Sequence, residues 1–152
     1  GMTQVKEGRT SIKEGKNQIA ATKKTLARQE EQLSGQEKQL AAMKTLLDKM
    51  DNAYLHGEDY TPYDFEFHSL IAQCTGNDVM KRLLPTIHES IQAGYHHTRR
   101  VEGSYQRASQ CHLEMYRAIM EHDSARARQA AQRHMMQTMH DSGVEVPSVL
   151  VK

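Results

Sequence analysis

Asp64 and His68 stand four residues apart in the run Asp64-Phe65-Glu66-Phe67-His68, and two later histidines, His112 and His134, each fall among apolar residues. Side chains four apart on a helix project over the same patch, so a carboxylate and an imidazole at that spacing can share one cation. His112 keeps company with Ala108, Met115, Tyr116 and Ile119, and His134 with Ala127, Ala130, Ala131 and Thr138. An imidazole on an apolar stripe is carried into a core, where it needs a partner. Three imidazoles and one carboxylate suit Zn, Ni, Mn or Fe, and affinity order alone does not choose among them. Type and spacing also leave a plainer alternative open: separate core histidines bonded to backbone or water. A metal held with open positions can activate water. No spare base for such an enzyme is evident, because Glu66 falls on a different helix face from Asp64 and His68. A dimerisation module without a ligand is the third reading.

The elements that must position these groups read as helices. Over residues 3–56, Val5, Ile12, Ile19, Leu26, Leu33, Leu40 and Leu47 recur seven apart, a coiled-coil-like period. Their companion positions are poor until Met43 and Met50, and Gly8 and Gly15 weaken the helix locally. Two helices are expected here, with a break within 24–36 for which Gly35 is one candidate. After a turn at 57–59, Thr61 is placed to cap a helix with Pro62 at its first position, running to about Thr75. Gly76 and Asn77 end it, and Asn77 can cap the next, over 78–98, which Pro85 should bend. A loop at 101–104 leads to a helix over 105–121. Asp123 caps a last helix to about His140. The tail 143–152 is expected to be extended.

The 152 residues fit one helical domain, 3–142, with Gly1-Met2 resembling a tag scar. Aromatic residues are 5% and Trp is absent, while 20 basic and 19 acidic side chains leave a net charge of +1. That balance gives no electrostatic footprint for nucleic acid. Cys74 and Cys111 make no disulfide framework and read as reduced core thiols of a cytoplasmic protein. No apolar run reaches membrane-spanning length, and no signal peptide is visible.

The D-x-x-F-H opening at Asp64–His68, then Gly76-Asn77 with Leu83-Leu84, resembles the effector-binding FCD domain of GntR-family transcription regulators. The likeness continues through His112, Ala118-Ile119 with Asp123 and Ala127, and His134-Met135. Near the start, Arg9, Ile12 and Ile19-Ala20-Ala21 are similar to that domain's first helix. The resemblance implies an all-α antiparallel bundle of about six helices, usually a homodimer. It implies a divalent ion, Zn or Ni most often, on Asp64, His68, His112 and His134, and a small carboxylate effector beside the ion. Arg9 matches an arginine that helps hold the acid, and Tyr116 shares the face of His112. Where family members often carry an arginine in the fourth helix, this chain has Gln92 and Ala93. Arg99 and Arg100, with His96 and His97, are the substitutes within reach. DNA contact in such regulators belongs to a winged helix-turn-helix domain that this sequence does not show.

Overall fold

The computed structural model describes residues 2–144, with side chains at 6–89 and 98–144. Among these residues there are five helices and no strand: α1 (Met2–Leu55), α2 (Thr61–Cys74), α3 (Asp78–Thr98), α4 (Ser104–Met120) and α5 (Ser124–Asp141). An all-α fold is therefore the outcome, with one helix fewer than expected. The tail beyond 144 and the side chains of Gln92, Ala93, His96 and His97 lie outside the described residues. Two compact units divide the chain, residues 1–38 and residues 39–152.

The described residues of the first unit are all helix, and the break expected within 24–36 is absent among them. Glycine costs a helix interior only about 1 kcal/mol relative to alanine. Gly35 is flanked by Gln, Leu, Glu and Lys, which favour helix, and no proline is near. Nothing lies within 4 Å of a Cβ built on Gly35, so no close packing requires a glycine there. Ile12, Ile19, Leu26 and Leu33 are all more than half exposed.

The second unit holds the core. Met43, Leu46, Leu47, Met50 and Ala53 repeat at helical spacing on α1 and are buried. Phe67 from α2, Met115 from α4 and Ala130 from α5 close over the same cluster. Helix α4 packs along α5 and α2 against α3. Ala118 and Ala130 are wholly buried, and small side chains at such positions let helices approach closely. The start of α4 is tied to the end of α5 by Arg107, which donates to both carboxylate oxygens of Asp141 at 3.0 and 2.9 Å.

Local capping sets where the site helices begin. Thr61 does not cap α2: it lies inside the helix, buried, and its N–H donates to the Asp59 carboxylate at 2.9 Å. Asp59 therefore does the work assigned to Thr61, two residues upstream, and Pro62 follows in the first turn, where a missing N–H costs nothing. The Asn77 side chain accepts from the N–H groups of Val79 and Met80, as expected for the start of α3. Gly76, at φ +67°, supplies the left-handed turn between α2 and α3. The Asp123 side chain accepts from the Arg126 N–H at 2.9 Å and starts α5. Pro85 sits inside α3 without ending it. Both cysteines are free, but Cys74 is exposed rather than in the core, because it occupies the last residue of α2.

Candidate metal centre

Helix α2 delivers Asp64 and His68 from adjacent turns of one face, α4 delivers His112, and α5 delivers His134. The Asp64 carboxylate lies 3.4 Å from His112 Nε2 and 3.8 Å from His68 Nε2. His112 Nε2 and His134 Nε2 are 3.3 Å apart. One ring nitrogen from each of His68, His112 and His134 falls within 4.8 Å of the others. These three histidines are close enough to bind a metal ion. Ligand atoms at Zn–N distances around a tetrahedral ion stand about 3.3 Å apart, which is the scale of the separations seen.

Burial explains why the arrangement calls for a cation. His112 is 2% exposed and Asp64 5%, while His68 and His134 are half-buried as whole residues. Burial, then the neighbouring rings of His134 and His68, holds the His112 imidazole well below its ordinary pKa. Burial and His68 push His134 down to about 4, against a smaller upward pull from Asp64. Near neutral pH these rings are uncharged, which is the form that ligates metal. Two neutral imidazoles facing each other across 3.3 Å also need a proton or a cation between their lone pairs. Among the described residues, His134 Nδ1 is buried with no hydrogen-bond partner. The facing ring nitrogens fit a divalent ion on this donor set.

Beside Asp64 and His134 lies a cavity of about 30 Å³, lined also by Tyr60, Thr98, Ser104, Tyr105, Ala108 and Thr138. That is about one water molecule's share of volume. Its tyrosine wall is stacked and braced. Tyr105 lies flat on Tyr54 with ring centroids 3.9 Å apart, and its hydroxyl donates to Asp51 at 2.6 Å. Arg99 sits over the Tyr60 ring at 4.7 Å and pairs with Asp59. A groove of about 760 Å³ between α4 and α5 includes none of the four clustered groups.

The other expected site residues fall in different places. Arg99 and Arg100 line an open groove of about 730 Å³ with Tyr54, Tyr60 and Tyr105, and Arg99 touches the small cavity's wall only from behind Tyr60. Tyr116 is half-buried and packs against the apolar core. Arg9 belongs to the first unit and is exposed. His88 is also buried. Its ring stacks on Phe65 at 4.3 Å and stands 6.2 Å from the ring of His68. Leu84 and Ile91, four before and three after it, mark the apolar stripe that could have revealed this.

The family model for the FCD domain matches residues 18–137. The chain belongs to the FCD family. FCD domains are the regulatory, effector-binding domains of GntR-family transcription regulators, and the histidine cluster of this FCD domain is compatible with the metal binding known in that family. A search of curated proteins gives no match. Among the described residues, no helix of the FCD domain is long and apolar enough to cross a membrane.

Proposed function

We propose that this FCD domain senses a small carboxylate through a divalent metal ion, zinc or nickel, held by Asp64, His68, His112 and His134, and that it works as a homodimer within a transcription regulator. The convergence of one carboxylate and three imidazoles from three helices, at 3.3, 3.4 and 3.8 Å, carries the reading. A bound ion supplies a Lewis-acid anchor for an anionic oxygen. The chain's own residues do the rest. Asp64 brings a carboxylate to the site beside the imidazoles of His68, His112 and His134. Tyr60, Thr98 and Thr138 bring hydroxyl-bearing side chains to the cavity lining, while the Tyr105 hydroxyl is held by Asp51. Arg99 acts on the acid through Tyr60, whose ring it braces.

The cavity is too small for an organic acid as it stands. Binding must therefore part the helices that line it, and the acid selects an arrangement in which they are further apart. Signal follows only if the acid binds that arrangement better than the closed one.

Two measurements test this. Protein purified without chelator is expected to carry about one equivalent of zinc or nickel per chain by elemental analysis, falling to near zero in His112→Ala. Thermal melting of the metal-loaded protein against a panel of organic acids should find at least one that raises the midpoint, by roughly 2.7 kcal/mol of added stability at a hundredfold excess over Kd. Loaded protein that no acid stabilises would sink the sensing role. Protein that takes up no metal would sink the centre itself.

A further inference from the structure

The exposed stripe of the first unit carries a charge pattern of its own. Lys16 lies three residues before Ile19, and Lys23 three before Leu26; Glu30 lies four after Leu26, and Glu37 four after Leu33. Those spacings put all four charges on one flank of the apolar stripe. The flank is basic in its first half and acidic in its second. None of the four has an opposite charge three or four places away on its own helix. Among the described residues, none of them forms an ion pair within the chain. Meanwhile Ile19, Leu26 and Leu33 are 59%, 52% and 59% exposed. Large aliphatic side chains left in water at a strict seven-residue spacing follow the period of paired helices.

We propose that residues 16–37 pair antiparallel with the same segment of a second copy of this chain. A two-fold axis between residues 26 and 27 sets Lys23 opposite Glu30 of the second copy and Lys16 opposite Glu37 of the second copy. Symmetry repeats both pairs, giving four ion pairs along the two flanks. In the same register Leu26 meets its own counterpart and Ile19 meets Leu33 of the second copy, each within one residue, a shift of about 1.5 Å along the axis. Flanking charges of this kind set partner and orientation in paired helices. In a parallel pair this flank faces the opposite flank of the second copy, where Gln18, Thr25 and Gln32 offer no counter-charge. The pattern also bounds the pairing: one step further out, Arg9 and Lys44 are both basic. A single apolar position in seven makes the contact narrow, so the association is weak and salt-sensitive. The metal centre plays no part in it.

Sedimentation equilibrium of the full chain at low ionic strength, from micromolar to submillimolar concentration, reads the pairing. The expected result is a reversible dimer weakened by added salt. Lys16→Glu with Lys23→Glu makes the flank wholly acidic and should weaken the dimer by about tenfold or more. Glu30→Lys with Glu37→Lys makes it wholly basic and should do the same. Mixing the two double variants should restore association. All four side chains are exposed, and far-UV circular dichroism of each variant should match the parent helix content. Orientation is read by zero-length carbodiimide cross-linking of a mixture of isotope-labelled and unlabelled chains. Lys23 joined to Glu30 across the two isotopes is expected. A chain that stays monomeric, a dimer indifferent to both double variants, or a dimer without that cross-link would overturn the proposal.

Discussion

One seven-residue apolar repeat runs through both units, yet it meets opposite fates. In residues 39–55, Leu47 is joined by Met43, Leu46 and Met50, and the whole face is buried under Phe67, Met115 and Ala130. In residues 6–38, Ile12, Ile19, Leu26 and Leu33 have Gly, Thr or Gln at the companion positions and remain exposed. Period alone therefore does not decide burial. A face at least about 100° wide is needed before a helix joins a core, and only the later stretch has it.

The largest effect that separates the two regions comes from truncating each stripe. Phe67→Ala should cost roughly 3–5 kcal/mol, because the ring is fully enclosed. Ile19→Ala, measured in dilute protein, should change the melting free energy by less than about 0.5 kcal/mol. Urea melts of the two variants check the contrast, and similar losses would mean that Ile19 is part of a core.

A smaller effect comes from pH. In metal-free protein the His134 ring titrates near 4 and His112 well below its ordinary value, both driven mainly by burial. Unfolded imidazoles take up protons at about 6.5. Between those limits the unfolded chain binds more protons than the folded one, so stability is full above about pH 6.5 and is lost as pH falls toward 4. Chelator-treated protein should melt several degrees lower at pH 5 than at pH 7.5, and His134→Ala should flatten that slope. The first unit, which contains no histidine, should show no matching loss of helix signal.

The smallest effect belongs to Gly35. If the helix runs through it, Gly35→Ala should raise helix content slightly and add about 0.5–1 kcal/mol of local stability. Loss of helix signal in circular dichroism would point instead to a turn at that position.

These contrasts also say what was legible beforehand. The Asp64–His68 pair could be read because i, i+4 spacing is a local property of a helix. His112 and His134 could be read because their apolar neighbours fixed the face. His88 carries the same cue through Leu84 and Ile91, although Pro85 between Leu84 and His88 interrupts the regular helical pattern. Gly35 misled because glycine is a weak breaker when strong helix formers surround it. The cap of α2 is not fixed by residue type, since both Asp59 and Thr61 are capping types and which oxygen reaches the first N–H depends on the exact residue where the helix starts. The tyrosine wall was illegible: Tyr54, Tyr60 and Tyr105 meet only after α1, α2 and α4 are assembled.

The roughly water-sized hollow beside Asp64 and His134 has a kinetic consequence. An entrant larger than its chamber has to wait for a fluctuation of the walls. If an acid is sensed there, its observed binding rate should level off at the opening rate as concentration rises, instead of climbing in proportion to it. Stopped-flow traces would show a plateau shared by acids of different affinity, and that common ceiling would belong to the protein, not to any guest.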